Sequence, residues 1–190
     1  MLVITTEIPG VRILELPWFP DSRGSIRTLV HGNLVGSGIS ESFEQFNIVH
    51  NVLGATRGMH WQPGQSKLCT VVSGSAVDVI LDVRRGSPTF GRTVTVGLSG
   101  INRTAVYIPD GCAHGFQATY HDTNVLYFMS TPWKADEQRC VAIEDPYIDF
   151  SWPIPLKDAV IAEKDRGNNN LGSVLMTNPD YLPQYVNGSR

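Results

Sequence analysis

The chain is poor in several features that mark whole protein classes. Cysteine is scarce: Cys69, Cys112 and Cys140 form an odd, widely spaced set with no CxxC pair. That pattern excludes a disulfide framework and a cysteine-based zinc ribbon. Charge is sparse at 17% of 190 residues, and the formal net charge of −3 gives no basic field for nucleic acid. No apolar run approaches the roughly 20 residues of a membrane span. Met1 to Glu7 lack the basic stretch and long apolar core of a signal peptide. The expectation is a cytoplasmic protein in a reducing setting, with neither nucleic acid nor membrane as a partner. A long amphipathic helix and an internal repeat are missing too.

What is present is β pattern. Ser75 to Val83 alternates, with Val77, Val79, Leu81 and Val83 on one face and Ala76, Asp78, Ile80 and Asp82 on the other. Val11–Leu16, Phe43–Asn51, Lys67–Ser73, Thr89–Leu98, Thr104–Ile108, Gly115–Thr119 and Asn124–Ser130 also read as strands, separated by Gly and Pro clusters. Short strands at this spacing predict an all-β sandwich or barrel. Thr131–Glu137 and Pro155–Asp165 are expected to hold short helical turns, and the polar tail after Asn170 an arm on the surface or on a partner subunit. The whole of 1–190 is expected to be one domain, with its core over about 11–171 and the arm over 172–190.

Two of the five histidines stand in Gly-punctuated segments, Arg57-Gly58-Met59-His60-Trp61-Gln62 and Pro109-Asp110-Gly111-Cys112-Ala113-His114-Gly115-Phe116. Imidazole ionises near neutral pH, so it serves as a proton-transfer group or a metal ligand. Asp78 lies among apolar strand residues, where an unpaired carboxylate is costly. Cys112 reads as a small buried filler. Taken alone, Lys67 reads as a surface lysine, Tyr127 as a strand aromatic and Asp165 as part of a solvated charge run.

Ordered along the chain, these segments acquire a second meaning. The two histidine segments, Gln65-Ser66-Lys67-Leu68, Gly86-Ser87-Pro88-Thr89-Phe90-Gly91, Leu126-Tyr127 and Glu163-Lys164-Asp165 occur in sequence. Over about Val11 to Leu171 the chain resembles the dTDP-4-dehydrorhamnose 3,5-epimerases, cupin-type nucleotide-sugar epimerases. The resemblance implies a cupin-type jelly-roll barrel, a homodimer, a nucleotide-diphosphate sugar as substrate, and no cofactor or metal. It gives catalytic roles to His60, Tyr127, Asp165 and Lys67. It places Asp78, His114 and Trp133 in the sugar site, and Phe19, Arg23, Gln45, Asn47 and Arg57 among the substrate-binding residues. Trp133 stands where the family more often has Tyr.

The departures cluster at the nucleotide end. The segment Asp21-Ser22-Arg23-Gly24-Ser25-Ile26-Arg27-Thr28 has Ile26 and Thr28 in place of the usual Phe and Glu. Gln45-Phe46-Asn47-Ile48-Val49 lacks the usual histidine. The reaction residues are intact, so the resemblance speaks more firmly for the reaction than for the sugar and its nucleotide.

The implied chemistry suits these side chains. A ketone at C4 makes the C3 and C5 protons removable as an enolate. His60 is the base, with Asp165 holding its tautomer. Lys67 stabilises the developing charge at the C4 oxygen. Tyr127 returns a proton to the other face. Phe90, Trp133 and Trp61 are candidate apolar walls, and Arg23 and Arg57 candidate diphosphate ligands. A 3-only or 5-only epimerase acting on another nucleotide-linked 4-ketosugar would carry the same residues. A metal-dependent cupin would need His-x-His and a Glu where this chain has His60-Trp61-Gln62. A non-catalytic sugar-binding barrel would have no reason to keep His60, Lys67, Tyr127 and Asp165 together.

Overall fold

The structure is a computed structural model, and it describes residues 2–29, 38–166 and 170–186. The strands are β1 (Leu2–Thr5), β2 (Arg12–Glu15), β3 (Trp18–Asp21), β4 (Gly24–Arg27), β5 (Gln45–Asn51), β6 (Ala55–Trp61) and β7 (Lys67–Ser73). They continue as β8 (Ser75–Asp82), β9 (Thr93–Ser99), β10 (Thr104–Ile108), β11 (Cys112–Ala118), β12 (Thr123–Met129), β13 (Arg139–Cys140) and β14 (Val160–Ile161). A short helix, α1 (Leu171–Thr177), and 3-10 turns over Glu163–Asp165 and Pro179–Tyr181 complete the described residues.

One sheet runs β1-β2-β10-β7-β12-β5 and the other β13-β6-β11-β8-β9, with β14 added parallel to β6. The two face each other as the expected all-β jelly-roll sandwich. Between them lies a core of Cys69, Val71, Ile80, Val106, Ile108, Phe116 and Val125. Burying each larger apolar side chain contributes roughly 1.5–3 kcal/mol. The outer face of the second sheet is buried as well, Val79, Leu81 and Trp61 packing on Leu171, Val174 and Leu182. The two faces of β8 therefore meet two different cores, as its alternation predicts.

Lys67–Ser73 and Thr104–Ile108 are strands as expected. β9 begins at Thr93 rather than Thr89, because Ser87 to Gly91 form a turn around Asp82. Asp82 accepts from Arg84 Nε (2.8 Å) and Nη2 (2.9 Å), Ser87 Oγ (2.6 Å) and Thr89 Oγ1 (2.7 Å). The 131–137 segment holds a turn, in which the Glu137 amide donates to the Lys134 carbonyl. The 155–165 segment holds turns, β14 and a 3-10 turn. The described part of the tail after Asn170 packs on the outer face of the second sheet through a short helix and a 3-10 turn. The Asn170 side chain caps α1 by accepting from the Gly172 and Ser173 amides. Leu171 and Val174, three residues apart, seat the helix on the outer face of the second sheet. Residues 187–190 of the expected arm lie outside the described residues. No helix among the described residues is long and apolar enough to cross a membrane.

Candidate active site

Period-two alternation aims one side chain from each of several strands into one end of the sandwich. On β7, Lys67 and Cys69 point inward and Leu68 outward. On β12, Tyr127 stands opposite Cys69 on one side and Asn47 of β5 on the other. β5 turns Gln45, Asn47 and Val49 toward this end and leaves Phe46 and Ile48 exposed. On the facing sheet His60 of β6 pairs with His114 of β11.

That pairing depends on glycine. Gly58 has φ +137°, and a Cβ there would lie 2.4 Å from Gly115 Cα. A Cβ on Gly115 would lie 2.6 Å from the Arg57 carbonyl oxygen. Only two bare backbones approach this closely, and the register of β11 on β6 shifts between His114 and Phe116.

The cavity so formed has a volume of about 340 Å³ and is bordered by Asn47, Arg57, His60, Lys67, His114, Tyr127, Trp133 and Asp165. This lies within the roughly 300–1,000 Å³ of small-molecule sites. Arg57, Lys67 and Lys164 give it cationic character, suited to an anionic ligand.

Two histidine–aspartate pairs stand side by side on the β6-β11-β8 wall. His60 Nε2 lies 2.8 Å from Asp165 Oδ1, the carboxylate being buried and the ring part-exposed. A carboxylate only accepts, so Nε2 carries the proton and Nδ1 is left as the basic nitrogen. β14 delivers Asp165 by running parallel to β6, with Val160 beside Ala55 and Ile161 beside Thr56. Deeper in, His114 Nδ1 lies 3.3 Å from Asp78 Oδ1. Asp78 is fully buried, and its Oδ2 has no hydrogen-bond partner.

Burial sets the ionisation of the remaining groups. It holds the Lys67 ammonium below the ordinary lysine range, an effect opposed by Cys69 and Asp78 nearby. It pushes the Tyr127 hydroxyl well up, with Cys69 and Asp78 adding to the rise. It pulls His114 down, helped by Lys67 and opposed by Asp78. Near neutral pH the cavity therefore offers a protonated tyrosine and a neutral second histidine, beside a lysine whose charge burial disfavours. The Tyr127 ring meets His114 and Phe116 edge-on, at 5.6 and 6.1 Å between centroids.

Of the residues singled out in the sequence, His60, Lys67, Asp78, His114, Tyr127 and Asp165 come together, with Asn47, Arg57 and Trp133 around the mouth. Gln45 sits behind them, its Oε1 accepting from the Trp133 amide at 2.8 Å. Phe19 and Arg23 are elsewhere. They sit on the β3–β4 hairpin, where Phe19 is 60% exposed and Arg23 pairs with Asp21. Trp61 borders the cavity, and Phe90 does not. Trp61 follows His60 on the strand, so its ring turns to the outer face and packs on Tyr181. Phe90 packs in that same outer cluster against Tyr147.

Several residues that shape the cavity lay outside the sequence expectations. Gln62 accepts from the Lys134 amide and Gln65 donates to the Thr131 carbonyl, which ties down the segment carrying Trp133. Gln138 accepts from the Trp133 indole at 2.6 Å. Cys69 was findable, because period two from Lys67 puts it on the same face. Among the described residues one group of side chains has the composition of a metal site: Cys69, Asp78 and His114, whose ligand atoms all lie within 4.8 Å of one another. A second concavity of about 290 Å³ borders Arg12, Glu41, Tyr107 and Asp110. Tyr107 donates there to Glu41, and Asp110 accepts from the Gly64 amide, so its polar groups are spent on each other and on the fold.

Comparison with known proteins places this geometry in context. The family model described as dTDP-4-dehydrorhamnose 3,5-epimerase matches residues 5–173. The chain is 37% identical to the dTDP-4-dehydrorhamnose 3,5-epimerase of Pseudomonas aeruginosa over 164 residues, covering 84% of this chain and 90% of that one. It is similar in structure to the dTDP-6-deoxy-D-glucose-3,5-epimerase of Legionella pneumophila in complex with dTDP-4-keto-L-rhamnose (TM-score 0.90, 30% identity, 97% and 98% coverage). It is also similar to a 3'-monoepimerase of Streptomyces bikiniensis in complex with dTDP-quinovose (TM-score 0.87, 28% identity, 95% and 92% coverage).

Proposed function

The chain belongs to the dTDP-4-dehydrorhamnose 3,5-epimerase family, and we propose that it inverts C3, C5 or both of a dTDP-linked 4-keto-6-deoxyhexose. The observation that carries this reading is the His60–Asp165 pair, 2.8 Å apart at the cavity wall, with Lys67 and Tyr127 bordering the same cavity. His60 Nδ1 takes the proton beside the ketone. Asp165 orients the ring and stabilises the imidazolium so formed. The Lys67 ammonium stabilises the enolate oxygen, a charge that exists only once the reaction has begun. Tyr127, held protonated by its burial, returns a proton to the opposite face. Asn47, Arg57 and Trp133 hold the substrate at the mouth, and Asp78 and His114 hold the sugar from below.

Phe19 and Arg23 fit this reading in a homodimer, in which the β3–β4 hairpin of one protomer reaches the cavity of its partner. The exposed Trp18, Phe19, Ile26, Phe46 and Ile48 support such an interface. Residues 1–190 act as one domain, in a cytoplasm that keeps the buried Cys69 and Cys112 as thiols.

The test is proton NMR in deuterium oxide with dTDP-4-keto-6-deoxy-D-glucose and no added metal. Loss of both the C3 and C5 proton signals is expected of a 3,5-epimerase. Loss of one alone makes the enzyme a monoepimerase, as the similar Streptomyces bikiniensis protein is. Retention of both overturns the reading for this sugar. Sedimentation of the purified protein as a monomer would remove the role given to the hairpin.

A further inference from the structure

We propose that the inner wall of the cavity binds a thiophilic divalent cation, Zn²⁺ being the type ion, with Cys69, Asp78 and His114 as ligands and with loss of epimerase activity as the consequence. The three come from different strands, β7, β8 and β11, and their ligand atoms already lie within 4.8 Å of one another. Around a tetrahedral zinc with bonds of about 2.0–2.3 Å, ligand atoms stand roughly 3.3–3.8 Å apart, so side-chain adjustments on the order of 1 Å close the site.

The second observation is Asp78 itself. It is fully buried, yet Oδ2 has no hydrogen-bond partner and Oδ1 only the 3.3 Å contact with His114. An under-solvated carboxylate of this kind is a strong cation ligand, because binding removes the penalty of its burial. The donor set selects the ion. Sulfur with imidazole and one carboxylate oxygen suits zinc, whereas magnesium and calcium take oxygen alone. Of the three ligands His114 borders the cavity, while Cys69 and Asp78 lie fully buried behind it, so an ion enters past His114 and Lys67. Cys69 binds as thiolate, its proton passes to solvent, and nothing is oxidised or reduced.

The inhibitory half of the proposal rests on the epimerase reading. The nearest cation is Lys67, which the reaction needs beside the C4 oxygen. An ion among Cys69, Asp78 and His114 adds positive charge behind that lysine and takes both sugar-facing groups out of use. Substrate turnover and occupancy of the site then exclude each other.

The experiment is titration of the purified, metal-free full chain with Co²⁺, read by absorbance. A stoichiometric thiolate-to-cobalt band with tetrahedral visible bands, both removed by added Zn²⁺, is expected. Cys112→Ala keeps the band and Cys69→Ala loses it, together with the sensitivity of epimerisation to Zn²⁺. Asp78→Asn, with both thiols intact, weakens Co²⁺ binding by at least about tenfold, and it carries the test if Cys69→Ala folds poorly. Absence of a thiolate band at stoichiometric Co²⁺, or its survival in Cys69→Ala, overturns the site. Full turnover by the Zn²⁺-saturated protein overturns the inhibition. The spectrum is read without substrate, so a failed epimerase assay does not touch it.

Discussion

Asp82 and Asp78 lie on the same face of β8 and both are fully buried, yet their surroundings differ in kind. Asp82 collects side-chain donors from Arg84, Ser87 and Thr89 as well as the Arg84 amide. Those hydrogen bonds hold its carboxyl below the ordinary range against the opposing effect of burial. Asp78 has one long contact with His114 and an oxygen without a partner. A carboxylate whose lone pairs are met belongs to the fold: it closes the turn that ends the strand. A carboxylate left short costs stability, and such costs persist where function requires the group. One strand thus carries an acid spent on the fold and an acid that the proposed reaction would use, told apart by their donors rather than by their burial.

The contrast sorts substitutions into those that remove activity and those that remove stability. The largest effect on the working side is expected at His60. His60→Ala should fold as the parent does and lower epimerisation by roughly 10²–10⁴-fold, the usual worth of a positioned base. Undiminished turnover, followed by NMR, would remove the mechanism. On the structural side Asp82→Ala leaves the Arg84 guanidinium buried without its counter-charge. A loss of about 3–5 kcal/mol is expected, seen as a lowered urea midpoint. An unchanged midpoint would mean that the donors around Asp82 are satisfied some other way and that the contrast is empty.

How much of this was readable beforehand follows the same division. β8 was legible because its residues alternate between two environments, and β7 and β10 because they are short β-branched or apolar runs with Gly or Pro marking their ends. β6 was not, although it carries His60. Its core face is broken by Gly58 and by the register shift opposite Gly115, so no period survives in the sequence. α1 is too short for a helical period, and its evidence is one cap and one apolar pair. Asp165 reads alone as solvated, because its partner His60 is 105 positions away and only the β14–β6 pairing joins them. Its place beside His60 was legible only through the family likeness. Trp61 borders the cavity, but standing next to His60 on a strand turns its ring toward Tyr181 on the other face.

A smaller effect is expected in the pH profile. In the proposed mechanism Lys67 must be protonated to stabilise the enolate, and burial lowers its pKa. The cation is therefore lost as pH rises through a value below the ordinary lysine range, and activity should fall there. Tyr127 is shifted upward and stays protonated over the same interval, so it cannot produce the fall. Solvent exchange by Tyr127→Phe should keep this alkaline limb, since abstraction precedes reprotonation. The residual activity of Lys67→Arg should lose it, because guanidinium does not deprotonate in this range. A limb that persists in Lys67→Arg assigns the ionisation to another group.

The smallest expected effect is the most discriminating. Asp78→Asn removes a buried charge that the fold does not fully solvate, while keeping the size of the side chain. Stability should not fall, and a gain of about 0.5–2 kcal/mol is expected, of the size seen when a functional group is traded for stability. Epimerisation should fall in the same protein, because the partner that orients His114 is gone. Urea unfolding and the NMR assay on one preparation measure both. If Asp78→Asn loses stability as Asp82→Ala does, the two aspartates are doing the same job, and Asp78 belongs to the scaffold with its partner. If it gains stability and keeps full turnover, His114 needs no carboxylate to hold the sugar, and the burial of Asp78 must be explained by something other than the epimerase reaction.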